Sequence, residues 1–118
     1  MTPGEFNITA DWIEAKGVAV LALEGHLDAH TFESLEKTVE EHFALKHYRI
    51  VIDLSRLEYV SSAGCGQFIA AVSDADAKGG LVVFVNPSES VAAALQIIGI
   101  LDMLPTADSV GSAMAMFK

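Results

Sequence analysis

Two adjacent serines, Ser61 and Ser62, are the residues of this chain best suited to chemistry. They follow Val51-Ile52-Asp53-Leu54-Ser55-Arg56-Leu57-Glu58-Tyr59-Val60 and precede Ala63-Gly64-Cys65-Gly66. The pattern reads as a buried strand, a short turn and a helix start. Hydroxyls at a helix N-terminus suit a nucleophile or a phosphate acceptor, because free backbone N–H groups and the helix dipole favour negative charge there.

The nucleophile reading lacks its companions. Val60-Ser61-Ser62-Ala63-Gly64 has the outline of a nucleophile elbow around Ser62, but that turn wants a small residue where Val60 stands. It also needs a later histidine, and His26, His30, His42 and His47 all precede Ser62. Gly64-Cys65-Gly66 starts like a dinucleotide fingerprint, yet Ile69 occupies the third glycine position. Close packing of helix on strand accounts better for these glycines. No His-Glu-x-x-His or paired-cysteine spacing offers a metal site, so the four histidines read as surface residues. No Gly-x-x-x-x-Gly-Lys phosphate loop is present. Cys65 could be a helix-stabilised thiolate, but a buried, inert thiol is the commoner outcome. The chain is expected to be no enzyme and to carry no cofactor or metal of its own.

A phosphate acceptor remains. A phosphoserine carries about −1.5 to −2 charge at neutral pH. Placed at a helix start it would leave the fold intact and change the surface that a partner meets. The competing reading is that Ser61 or Ser62 only caps the helix. The residues alone leave both readings open.

These serines need a scaffold. The chain has 118 residues, 52% of them hydrophobic, enough for one domain with a real core. Sixteen acids against seven bases give a net charge of −9, which disfavours nucleic acid and anionic membranes as partners. A basic protein partner fits that charge, as does a purely solubilising role. The single cysteine excludes an internal disulfide and suits a reducing cytoplasm. The longest uncharged run, Tyr59 to Ser73, is too short and too polar for a membrane span. No secretion signal opens the chain. A cytoplasmic protein without membrane insertion is expected.

Phe6 to Ile13 is a weak strand candidate, and Gly17 to Glu24 a clear one. Gly25-His26-Leu27-Asp28 reads as a turn. Phe32, Leu35, Val39 and Phe43 then form a helical stripe with Thr31 as N-cap. Tyr48 to Leu54 reads as a strand, Gly64 to Ala77 as a helix, and Gly79-Gly80 as its stop. Leu81 to Val85 lacks polar alternation, which predicts a strand buried on both faces. Asn86-Pro87-Ser88 opens a helix striped by Val91, Leu95 and Ile98 and stopped by Gly99. Leu101 to Pro105 reads as a short strand, and Asp108 or Ser109 as the start of a last helix carrying Val110, Met114 and Phe117. Such alternation predicts an α/β domain with a largely parallel sheet.

Several stretches resemble a known family. Gly25-His26-Leu27-Asp28-Ala29-His30-Thr31-Phe32-Glu33-Ser34-Leu35 resembles the Gly-x-Leu-Asp-x-x-Thr stretch of bacterial anti-sigma-factor antagonists, the STAS-domain proteins. Asp53-Leu54-Ser55 through Ser61-Ser62-Ala63-Gly64 is similar to their Asp-Leu-Ser…Asp-Ser-Ser-Gly-Leu-Gly signature. Lys78-Gly79-Gly80, the strand to Val85, Asn86-Pro87-Ser88 and Ile98-Gly99-Ile100 match in order and spacing. The resemblance implies a single STAS-like α/β domain over residues 5–118, after a frayed Met1 to Gly4. Its sheet would be mixed and mostly parallel, with about four α-helices.

The same resemblance implies a function. An unphosphorylated antagonist captures an anti-sigma factor that is also a serine kinase, and so releases a sigma factor. The kinase, using its own ATP, phosphorylates the antagonist and frees itself; a phosphatase resets the system. Counting without gaps from Asp53, the family's acidic residue falls on Ser61 and its first serine on Ser62. The usual acceptor falls on Ala63, which has no hydroxyl, and Cys65 replaces a leucine. Ser62 is therefore the first phosphorylation candidate and Ser61 the second. The implied partner-binding set is Asp28, His30, Thr31, Ser61, Ser62, Ala63, Gly64 and Gln67. Asp53, matching an acid at the strand end, would fix the turn below the serines, and Gly66 would be structural. Two other roles fit the same resemblance: a subunit docking on a lipid-transport ATPase complex, and a non-phosphorylated binding or sensor module.

Overall fold

The computed structural model describes residues 5–117. The frayed end expected at Met1 to Gly4 lies outside them, as does Lys118. The elements are β1 (Phe6–Ile13), β2 (Val18–Leu27), α1 (Phe32–Ala44), β3 (Arg49–Val60), α2 (Ser62–Ala77), β4 (Leu81–Val85), α3 (Glu89–Ile98), a 3₁₀ turn (Leu101–Met103), β5 (Thr106–Ala107) and α4 (Val110–Met114). The strands form one sheet in the order β1-β2-β3-β4-β5. β1 pairs antiparallel with β2, and every other pair is parallel. The mixed, mostly parallel α/β domain with four α-helices is the expected one.

Side-chain alternation divides the sheet into two faces. Leu21 and Leu23 of β2, Ile50, Ile52 and Leu54 of β3, and Val82 and Phe84 of β4 point into the main core. Leu35 and Val39 of α1, Phe68, Ala71 and Ala75 of α2, and Val91 and Leu95 of α3 close it from above. Val83 and Val85 enter a smaller core with Val18, Val51, Ala113 and Phe117, roofed by α4. β4 is thus buried on both sides, as its unbroken apolar run requires. Phe68 meets Phe84 at 4.9 Å between ring centroids, tilted by 54°. That contact docks α2 on the sheet and so holds the serine turn. A fully buried Phe contributes about 1.5–3 kcal/mol by area alone.

The strands run further than the sequence pattern suggests. β2 continues through Gly25 and His26 to Leu27, so the expected turn is strand. β3 does not end at Leu54 but continues to Val60. Bulges explain both differences. While β2 advances from Ala22 to Glu24, β3 advances from Asp53 to Arg56; between Gly25 and His26 it moves from Leu57 to Tyr59. Each step inserts one extra residue in β3. The core positions of β3 therefore change spacing, from Ile50-Ile52-Leu54 to Leu54-Leu57-Val60. A spacing of three conceals a strand from a period-two reading.

Three other boundaries move. α2 begins at Ser62 rather than Gly64. The stretch expected to be a strand at Leu101 to Pro105 is the 3₁₀ turn, and the strand is Thr106–Ala107. Ile100 and Leu104 are buried while Asp102 midway between them is exposed, which suits a helical turn; in a strand all three would share one face. Phe117 is buried beyond the end of α4. Gly80 is required where α2 gives way to β4, since a Cβ there would strike the Tyr48 carbonyl oxygen.

Candidate functional site

The site is built on the last rung between β2 and β3. Leu27 pairs with Val60, and the Ser61 N–H donates to the Leu27 carbonyl at 2.9 Å. This bond holds Ser61 in an extended conformation, φ −95° and ψ 177°, as the N-cap of α2. Its Oγ accepts from the Gly64 N–H at 3.4 Å. Ser62 is then the first helical residue. It is exposed, and among the described residues its hydroxyl has no hydrogen-bond partner. One serine caps and the other is left free.

Gly64 lets the helix start this close to the sheet. A Cβ there would lie 2.8 Å from Val60 Cγ2, 2.9 Å from Leu27 Cγ and 3.0 Å from the Leu27 carbonyl oxygen. Close packing, the expected role of the glycine pair, holds for Gly64 and fails for Gly66. A Cβ at Gly66 would meet nothing within 4 Å, so its structural role is not borne out. Gly66 instead lies one turn from Ser62 on the same exposed side of α2. With no side chain there, approach to the Ser62 hydroxyl is unobstructed. Ala63 is half-buried, and Gln67 is only 8% exposed. Gln67 therefore faces inward instead of forming part of an exposed helix surface. Cys65 is buried, and desolvation pushes its thiol above the ordinary range, which makes it an inert thiol.

Across the rung, Asp28 opens the loop into α1. Its Oδ1 accepts from the His30 N–H at 2.8 Å, and that bond is the main reason its carboxyl lies below the usual range. Thr31 occupies the N-cap position of α1 but does not cap with its side chain. Its hydroxyl turns back, donating to the His26 carbonyl at 2.7 Å and accepting from the Asp28 N–H at 2.9 Å. Thr31 thereby shapes the loop, while Asp28 is part-exposed and His30 exposed.

Asp53 is not where the sequence pattern suggested. It sits in mid-sheet, paired with Ala22 and Val85, and its Oδ1 accepts from the Ser55 N–H at 3.0 Å. The acid satisfies an amide displaced by the first bulge. The strand from there to Val60 covers on the order of 20 Å at about 3.3 Å per residue. Asp53 supports the sheet and does not fix the serine turn.

Tyr59 and the serines at the start of α3 also border the site. Tyr59 is 49% exposed beside the His26 ring, with centroids 6.0 Å apart. Below it, Ser88 and Ser90 donate to the carbonyls of Leu57 and Glu58, each at 3.2 Å. The buried Leu57 and Val60, three apart around exposed Glu58 and Tyr59, were the available signal of a bulge. Charge here is one-sided: segments 17–36 and 57–77 contain acids and no Lys or Arg. Among the described residues, no group of three or more metal-ligating side chains converges, and no helix is long and apolar enough to cross a membrane.

Comparisons place this geometry in a family. The STAS domain family model matches residues 10–113. BtrV of Bordetella bronchiseptica, named provisionally as an anti-sigma factor antagonist, is 30% identical over 112 residues, 95% of each chain. The anti-sigma F factor antagonist of Paenibacillus polymyxa is 24% identical over 104 residues, 87% of this chain and 89% of its own. An anti-sigma factor antagonist from Mycobacterium paratuberculosis has the same fold, with a TM-score of 0.85, 21% identity, and 98% and 97% of the two chains covered. With its serine turn, Asp28 loop and five-stranded mixed sheet, the chain belongs to the STAS domain family, among relatives named as anti-sigma factor antagonists.

Proposed function

We propose that this protein acts by binding, not catalysis, as an anti-sigma-factor antagonist whose partner is an anti-sigma factor with serine-kinase activity. Capture of that partner would free a sigma factor for transcription. The contact surface is the Asp28–His30 loop, the Ser61–Ser62 turn and the small-residue start of α2. Its acidic character suits a basic partner surface. Ser62 is the phosphate acceptor, modified with ATP bound by the partner, and a phosphatase returns it to the binding state.

The observation that carries this reading is the division of labour between the serines. Ser61 Oγ is occupied by the Gly64 amide, whereas Ser62 presents a free hydroxyl at the helix N-terminus. A phosphate on Ser62 would sit at the positive end of the helix dipole without disturbing the cap. It would add negative charge to an acidic surface and so change the fit to a basic partner.

Incubation with the cognate kinase and ATP, read by intact mass, tests the proposal. One phosphoryl group is expected on the native chain and none on Ser62→Ala. A stable complex with no mass increase overturns the switch and leaves a constitutive binder. Unchanged phosphorylation of Ser62→Ala, lost in Ser61→Ala, moves the acceptor to Ser61.

A further inference from the structure

We infer that Tyr59 is the aromatic anchor of the partner interface and that it receives an arginine or lysine of the partner on its ring face. The inference rests on the binding reading above but names a residue and a chemistry that the reading does not.

Four features of the fold lie around this side chain. First, the second bulge of β3 lies beside it, where Gly25 and His26 of β2 face Leu57 and Tyr59. In an unbulged strand, Glu58 and Tyr59 would lie on opposite faces, one of them inward. Here both are exposed while Leu57 and Val60 are buried. A bulge re-aims a side chain in this way. Second, Gly25 holds φ at +98° at that rung, a conformation that L side chains rarely adopt. Third, the His26 ring lies 6.0 Å from the Tyr59 ring, and among the described residues its buried Nδ1 has no hydrogen-bond partner. Ser88 and Ser90 of α3 then clamp the bulge from beneath, through the carbonyls of Leu57 and Glu58. The result is a braced, half-exposed tyrosine three residues before Ser62.

The charge around it selects the occupant. Glu58 adjoins Tyr59 in the chain, and Asp28 follows His26 by two residues. Arg56, three residues before Tyr59, stands 3.8 Å from Glu24. An exposed aromatic face on segments that contain acids and no Lys or Arg attracts a cation through the ring quadrupole and through Coulomb attraction. Tyrosine is also among the side chains that most often carry the energy of an interface.

Titration calorimetry of the full chain with its purified cognate anti-sigma factor tests the inference. Tyr59→Ala is expected to raise Kd at least tenfold, as interface anchors do. Tyr59→Phe, which keeps the ring face, should stay within about twofold. Tyr59→Leu, which keeps apolar bulk but no quadrupole, should lose about fivefold or more. Thermal unfolding confirms that each variant is folded. Native-like affinity for Tyr59→Ala overturns the anchor while leaving the binding function standing. Equal affinities for the Phe and Leu variants overturn the cation. No binding by the native chain overturns the parent reading and the anchor with it.

Discussion

Helices α2 and α3 start with the same vocabulary and put it to different use. Each has a serine N-cap, Ser61 or Ser88, and a second serine close behind, Ser62 or Ser90. In α3 both hydroxyls are committed to structure. Ser88 Oγ accepts from the Val91 N–H at 3.3 Å and donates to the Leu57 carbonyl, and Ser90 donates to the Glu58 carbonyl. In α2 Ser61 is committed, by a longer bond, and Ser62 faces solvent with no hydrogen-bond partner among the described residues. Residue type at a helix start therefore does not reveal function. What separates the two is whether a strand carbonyl lies within reach of the second hydroxyl.

Substitutions can break or sharpen that contrast. The largest effect is expected at Gly64, where α2 starts flush against β2. Gly64→Ala must push aside Leu27 and Val60, and overpacking of this kind costs about 1–3 kcal/mol. Urea unfolding measures it; a neutral result would mean that α2 can shift outward freely. Ser88→Ala removes a cap and a bond to β3 together and should cost about 1–2 kcal/mol. Ser61→Ala loses only a long cap bond and should cost about 0.5–1 kcal/mol. If the two cost the same, the claimed difference between the helix starts fails. Ser62→Ala should change stability by less than about 0.5 kcal/mol, as exposed sites do, while abolishing phosphoryl acceptance.

A smaller effect, away from both helix starts, comes from pH. His42 and His47 oppose Nδ1 atoms at 3.3 Å, so one ring must donate and the other accept. Burial, followed by the neighbouring His47, lowers the His42 pKa from its ordinary value of 6.5. The folded state thus favours neutral His42. Its contribution to stability is complete above that ordinary value and is lost as pH falls through the lower folded value. Trp12, the only tryptophan, stacks on His47 at 3.7 Å and 9°, so its fluorescence follows unfolding of this corner. His47→Gln should reduce, without abolishing, the fall in unfolding midpoint between neutral pH and about pH 5, because burial, the larger cause, remains.

Much of the fold was legible. The stripe Phe32-Leu35-Val39-Phe43 marks a helix because only one of its faces meets the sheet. Leu81 to Val85 marks a central strand because both of its faces are covered. The far half of β3 was not legible, since two bulges replace the alternation with a spacing of three. The position of Asp53 is hidden for the same reason: a strand ending at Leu54 would set the acid beside the serines, whereas β3 continues to Val60. Thr31 has the position of a cap, but the nearby His26 carbonyl claims its hydroxyl.

By itself, the sequence determined the α/β alternation, the apolar faces, the acidic surface and a pair of serines at the start of a helix. These follow from local patterning and from charge, which need no knowledge of neighbours in space. Only the tertiary structure decided which serine is the cap and which is free. That choice depends on the Leu27 carbonyl, supplied by a neighbouring strand, which holds the Ser61 amide and fixes where α2 begins. It also depends on the bulge that turns Tyr59 outward beside them.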